Sequence, residues 1–229
     1  MKKVLCAIIL FISLFSLSGC TTFRQNQKVE QLKNEVSILK YRLNQLRNEK
    51  AKEINKLEEA KGELSEKLKD ELDEYKAKLE MTERGLVLTF LDEIFFDSGQ
   101  AKIKSQAKAT LDKVSNVLTE EVPDYLIVIE GHTDNVPIKF SRWRSNWELA
   151  SARALAVLHH LIDKTDLNPQ RISAHSYGEY MPVVDNATKA GRRQNRRVEI
   201  VVTTKMLKKI REDISLKEEQ KAQRSRQAP

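Results

Sequence analysis

The chain has 229 residues, a formal net charge of +7, 32% charged residues and 6% aromatics. Residues 21–84 hold 15 Lys+Arg and 14 Asp+Glu, residues 85–204 hold 15 and 15, and residues 205–229 hold 8 and 4. A neutral body with a basic tail lacks the clustered cationic face that nucleic-acid binding requires, so no nucleic-acid partner is expected.

Met1-Lys2-Lys3 is a positive n-region, and Val4 to Leu17 is an apolar run interrupted only by Ser13 and Ser16. Its fourteen residues are short for a membrane span and suited to a signal h-region. A simple secretory signal cut near Gly19, or a short uncleaved anchor, would fit the run. Leu17-Ser18-Gly19-Cys20 resembles a bacterial lipobox, in which the Cys is acylated and becomes the first mature residue. Residues 1–19 are then a lipoprotein signal peptide, and residues 20–24 are the lipidated N-terminus and linker. Two or more acyl chains hold a protein stably on a bilayer, at about 0.8 kcal/mol per buried CH₂. The two cysteines are Cys6, in the segment removed, and Cys20, blocked by lipid, so neither a disulfide framework nor a thiol enzyme is expected. Thr21 stands where such lipoproteins carry Asp for inner-membrane retention, which leans towards the outer membrane.

Residues 25–84 contain no Pro and one Gly, Gly62. Val29, Leu32, Val36, Leu39, Leu43 and Leu46 are spaced 3-4-3-4-3, an a/d seam. Four extra residues before Ile54 make a stutter; Ile54, Leu57, Leu64 and Leu68 resume the seam with Lys61 at a core position, and Leu72, Tyr75 and Leu79 follow a second offset. The expectation is a coiled-coil stalk over 25–84 that self-associates, with Val at a and Leu at d favouring two strands. At 1.5 Å per residue it would reach about 90 Å. A lone solvated helix laced with i,i+4 ion pairs is the competing reading.

Residues 85–204 have the length of a single domain. Leu86–Leu91 reads as a strand, and Asp97-Ser98-Gly99 as a turn. Ile103, Ala107, Leu111, Val114 and Leu118 form a helical core stripe. Tyr125–Ile129 is a buried strand. Ser145 can cap a helix to about Lys164, with Glu148 at the capping-box position and Ala154, Leu158 and Leu161 inward. Arg171–Tyr177 is a third strand, 186–194 a polar loop or short helix, and Val198–Val202 the fourth strand. The order predicts an α/β (α+β) sandwich, β-α-β-α-β-β, with two helices on one face of a mixed sheet. The tail from Lys205 places Met206, Leu207, Ile210 and Ile214 at helical spacing and frays past Leu216, giving a basic helical or disordered segment.

Glu130-Gly131-His132-Thr133-Asp134 leaves a strand and delivers Asp134 to a loop, while Asn146, Leu149 and Arg153 share one stripe of the following helix. One carboxylate and several guanidiniums can hold a zwitterion. An ordinary Asp134–Arg153 salt bridge is an equal reading. Of Arg196 and Arg197 only one can face such a site, because adjacent strand residues point to opposite faces. His132 reads equally as a satisfied strand-end histidine. His132, His159, His160 and His175 show no zinc spacing, and no nucleophile elbow or phosphate loop is present. Trp143 and Trp147 flank a basic loop, where core packing competes with stacking on a sugar. Binding without chemistry, with no metal and no cofactor, is the expectation.

Five segments carry a resemblance: Phe96-Asp97-Ser98-Gly99; Glu130 to Asp134; Asn146-x-x-Leu149-x-x-x-Arg153-Ala154; Tyr177-Gly178-Glu179-x-x-Pro182; and Asn195-Arg196-Arg197-Val198-Glu199-Ile200. In that order they resemble the OmpA-like peptidoglycan-binding domain, over roughly residues 86–204. Asp134 to Ile138 and Ser145 to Leu149 are similar to its MotB branch. Ala150 departs from the usual Ser or Gly. The resemblance implies a noncovalent clamp on the peptide stem of the cell wall. Asp134, beside Thr133, would take the amine of meso-diaminopimelate and Arg153 its carboxylate. Amides around Asn146 to Leu149 would add donors, with Arg196 or Arg197 in support. With the lipobox, the chain resembles a peptidoglycan-associated lipoprotein tethering the outer membrane to the wall from the periplasmic side. A coiled-coil scaffold of an envelope or motor-associated complex, anchored by the wall domain, is the alternative.

Overall fold

The computed structural model describes residues 2–74, 76–139, 142–165 and 167–203, with side chains from Gln25 onward, in two units, residues 1–51 and 52–229. The expectations for the Cys20 side chain and the 205–229 tail lie outside the described residues. Helix α1 is Lys2–Lys67. In the first unit its seam residues Val29, Leu32, Val36, Leu39, Leu43 and Leu46 are all exposed. In the second unit the same spacing does a different job. Leu57, Ala60, Leu64 and Leu68 are fully buried in the domain core.

The coiled-coil stalk therefore does not extend to residue 84 in this structure. A heptad seam and an amphipathic stripe share one periodicity, so spacing alone does not name the partner. Lys61, expected at a core position, is part-exposed and pairs with Glu58 at 3.3 Å. After the short helix α2 (Lys69–Asp73), strand β1 (Ala77–Thr82) replaces the expected helix. Its inner residues Ala77, Leu79 and Met81 pack against the core, and Lys78, Glu80 and Thr82 face out. A two-residue turn joins it to β2 (Gly85–Leu91). Gly85 has φ 120, and a Cβ there would meet the Val202 carbonyl oxygen at 2.1 Å, so a side chain is excluded on both counts.

Helices α3 (Asp92–Phe95) and α4 (Ser105–Glu120) lead to β3 (Leu126–His132). Helix α5 (Asn146–Lys164) returns the chain to β4 (Ile172–Gly178), and α6 (Lys189–Asn195) precedes β5 (Arg197–Thr203). The sheet order is β1-β2-β5-β3-β4, antiparallel except for the β3–β4 pair. The expected β-α-β-α-β-β sandwich is present, extended by β1 at the edge. Ala107, Leu111, Val114 and Leu118 of α4 and Ala154, Val157 and Leu161 of α5 bury their stripes against Phe90, Ile127, Ile129 and Ile200. Ser145 caps α5 by accepting from the Glu148 amide at 3.4 Å. Glu148 reaches the amide of Arg144 rather than that of Ser145, so the capping box closes one residue early.

Candidate functional site

Two close approaches set the site. A Cβ on Gly131 would lie 2.2 Å from the Ala150 carbonyl oxygen, so the glycine lets the start of α5 pack on the end of β3. The Thr133 amide donates to the Gly178 carbonyl at 2.8 Å, holding the chain beyond β3 against the end of β4. Asp134 then turns the loop, its Oδ1 accepting from the Val136 amide at 3.1 Å. Asn146, at the start of α5, fixes the same loop by donating to the carbonyls of Asp134 and Val136, both at 3.2 Å, and to Glu179.

Arg153 and Asp134 do not pair directly. Arg153 donates through Nη1 to Asp92 at 2.7 Å and through Nε to the Gln100 carbonyl at 2.9 Å, and lies over the Phe96 ring. Arg196 donates through Nη1 to Asp134 Oδ2 at 2.8 Å and sits 3.6 Å from Asp92 Oδ1. The result is a row of alternating charge, Arg153–Asp92–Arg196–Asp134. Arg153, Asp92 and Asp134 are buried and Arg196 is half-buried. Burial pushes the Asp92 carboxyl up, against Arg153 and Arg196, and pushes the Arg153 guanidinium down, against Asp92. An arginine keeps its proton regardless, so Asp92 serves as the counter-ion of both guanidiniums.

Thr133, Asp134, Asn146, Leu149, Arg153 and Arg196 all line one cavity of about 640 Å³, together with Asp92, Glu93, Phe96, Ser98, Gly99, Arg192 and the 136–139 loop. Thr133 Oγ1 is buried without a hydrogen-bond partner among the described residues. Arg197 is not part of this wall. It lies on the opposite face of the sheet, donating to Glu199 at 2.7 Å and to the Met181 carbonyl at 3.1 Å. The adjacent-residue argument thus resolves in favour of Arg196. Asp92 is the residue that sequence reasoning missed. Its signal was a carboxylate inside an apolar run, Leu91-Asp92-Glu93-Ile94-Phe95-Phe96.

His132 is buried and stacked on Tyr177 at 5.2 Å; its Nε2 lies 3.9 Å from Glu130 Oε2, and among the described residues neither ring nitrogen makes a hydrogen bond, so it is not the hydrogen-bonded strand-end histidine of the simpler reading. Burial keeps its pKa below the usual value, with Glu130 opposing. One ligand atom each from Glu130, His132 and Glu199 lie within 4.8 Å of one another. Arg84 bridges the two carboxylates, at 2.6 Å to Glu130 and 2.5 Å to Glu199, and Arg197 also holds Glu199. Two guanidiniums already balance the two carboxylates, which suits an ion-pair network better than a divalent cation. His160 pairs with Asp112 at 2.8 Å, away from this group.

The OmpA family pattern matches residues 95–196. Motility protein B of Bacillus subtilis (strain 168) is 41% identical over 153 residues, 67% of this chain and 58% of that protein. The uncharacterized protein YtxE of the same organism is 33% identical over 201 residues, 85% of this chain and 82% of that protein. Among solved structures, the cell wall anchor of the T6SS from Pseudomonas aeruginosa superposes with a TM-score of 0.56 at 30% identity, covering 62% of this chain and 96% of that one. The chain thus spans a little over half of one curated relative and most of the other. On the matched pattern, the shared sheet and the motifs, four of which line one cavity while the fifth meets it through the Asn146–Glu179 hydrogen bond, the chain belongs to the OmpA family, with an OmpA-like peptidoglycan-binding domain as its globular unit.

Proposed function

We propose that the cavity clamps the zwitterionic side chain of meso-diaminopimelate in the peptide stem of peptidoglycan, and that the protein tethers a membrane to the cell wall without turnover. The row of alternating charge lining the cavity carries this reading. Asp134 takes the ligand's ammonium. Arg153 takes its carboxylate through Nη2, since Nε and Nη1 are held by Gln100 and Asp92. Arg196, tied to Asp134, supports the clamp. Guanidiniums fixed in advance lose little freedom on binding, so more of each charge-assisted bond appears as affinity. The unpartnered Thr133 hydroxyl supplies one more polar group at the wall.

In this reading the membrane end is an acyl anchor at Cys20; Thr21 in place of Asp leans towards the outer membrane, with the domain facing the periplasm. The exposed seam from Val29 to Leu46 supports self-association into a stalk. A second reading, a scaffold of an envelope or motor-associated complex anchored by the same domain, draws on the 41% identity to Motility protein B. Asp134→Ala and Arg153→Ala are the test of the clamp. Each should lower retention on purified sacculi by ten-fold or more, since each leaves a ligand charge unpaired at a cost of about 1.5–3 kcal/mol. Retention unchanged in folded variants would leave the two residues as structural ion-pair partners only.

A further inference from the structure

The fold treats the two tryptophans of the basic loop differently. The Trp143 indole donates to the Gly99 carbonyl at 2.9 Å, and the Arg142 guanidinium lies 4.3 Å from the centre of its ring. Trp147, in the first turn of α5, is 46% exposed. It stacks on Tyr180, itself 64% exposed, with ring centres 5.4 Å apart and planes inclined by 24°. The main chain under this pair is fixed. The Trp147 carbonyl accepts from Ser151 Oγ at 2.8 Å and from Ser176 Oγ at 3.1 Å. A Cβ on Gly178 would meet the indole at 3.3 Å, so the glycine lets the end of β4 back the ring closely.

Nor is the loop that carries Tyr180 loose. The Tyr180 amide donates to the Tyr177 carbonyl at 3.1 Å, and Arg197 donates to the Met181 carbonyl at 3.1 Å. The buried Asn195 accepts from the Val183 and Val184 amides at 2.9 and 3.2 Å. These bonds hold a loop whose Tyr180, Met181 and Val183 side chains are each more than half exposed. Exposed apolar side chains on a fixed frame mark a contact surface, and rings ordered in advance lose little freedom on contact. The surface is continuous with the cavity. Asn146 lines the cavity and donates to Glu179, and the two rings belong to the residues that follow, Trp147 and Tyr180.

We propose that the Trp147–Tyr180 pair is a second subsite, which stacks on a pyranose ring of the glycan strand whose stem peptide occupies the cavity; the assignment rests on the wall-binding reading above. A pyranose presents apolar C–H faces and hydroxyls at its edge. The ring pair is built alike, with apolar faces and a Tyr hydroxyl and an indole N–H at its edges, so face meets face and the polar edges stay wet or bond each other. A protein partner is a poorer fit, since a stable protein interface takes about 800 Å² from each side and two rings supply only part of that. Reach agrees as well. A stem peptide joins its glycan strand within a few residues of the diaminopimelate, at about 3.5 Å per residue, and the rings stand one residue beyond the Asn146–Glu179 contact.

The test uses the full-length chain and two soluble probes: the glycan disaccharide bearing its diaminopimelate stem peptide, and the same stem peptide without sugar. The unaltered protein should bind the first more tightly, by about five-fold or more. Tyr180→Ala and Trp147→Ala should each reduce that preference, and the two together should erase it, with affinity for the free peptide kept. Tyr180→Phe, which keeps the ring, should keep most of the preference. Equal affinity of the unaltered protein for the two probes, or a preference that survives the double substitution, would overturn the sugar subsite and leave the peptide clamp standing. Binding of neither probe would overturn the clamp reading, and the subsite with it.

Discussion

Asp92 holds two guanidiniums at once, and its replacement separates structural from ligand effects. Asp92→Asn leaves Arg153 buried without a counter-ion, a change that costs about 3–5 kcal/mol. Both the thermal midpoint and sacculus binding should fall, because Arg153 and Arg196 lose the group that aims them. Arg197→Ala also breaks a buried pair, with Glu199, but on the other face. It should lower the midpoint while the folded protein keeps its affinity for the wall. His132 gives a pH signature. Burial holds its folded pKa below the ordinary 6.5, so just below that pH the unfolded chain binds more protons than the folded one. Its contribution to stability is therefore complete above pH 6.5 and declines as the pH drops through that value towards the folded pKa. Midpoints measured between pH 8 and 5 should show that decline, and His132→Gln should flatten it. At this scale the sequence was legible where motif residues are neighbours, as with Asp134 and Thr133. For Asp92 it offered only a carboxylate in an apolar run and no sign of its partners, Arg153 and Arg196, which stand 61 and 104 residues away, a distance that only the fold closes.

Among the elements, the four main strands were readable as short apolar or β-branched runs and the domain's two long helices as apolar stripes of period 3.6, each bounded by turn chemistry. Strand β1 was not. Ala77-Lys78-Leu79-Glu80-Met81 does alternate, but it follows sixty residues of helical composition, and Leu79 also fits a helical continuation. The strand wins because hydrogen bonding to β2 and packing of Ala77, Leu79 and Met81 on the core outweigh local propensity. The long helix divides at the same kind of ambiguity. Leu39 and Leu64 occupy similar seam positions, yet Leu39 is half exposed and Leu64 is fully buried. Leu64→Ala should destabilise the domain by about 2–5 kcal/mol, the usual cost of deleting a buried leucine. Leu39→Ala should leave the domain's midpoint in place and weaken self-association in sedimentation equilibrium. If both substitutions act on the domain alone, the Val29–Leu46 seam has no role in assembly.

For the whole molecule, charge and lipid divide the labour. The neutral body carries the wall site, and an acylated Cys20 would keep that body within reach of the wall, so a weak clamp would act at high local concentration. On the proposed clamp, specificity would rest on the chemistry of one ligand side chain. Diaminopimelate offers an ammonium and a carboxylate together, which the proposal matches to Asp134 and Arg153 across the cavity. Lysine offers the ammonium without the carboxylate. A wall built on lysine should therefore satisfy Asp134 and leave Arg153 facing a missing partner. The loss of one charge-assisted bond is about 1.5–3 kcal/mol, or about ten- to a hundred-fold in affinity. Sacculi of the two kinds, offered to the same full-length protein at the same ionic strength, should differ by that factor. The difference should vanish in Arg153→Ala, which has no carboxylate-binding fork to lose, while Asp134→Ala should weaken binding to both walls alike. Equal binding to both walls by the unaltered protein would remove diaminopimelate as the ligand even if the wall remained the target.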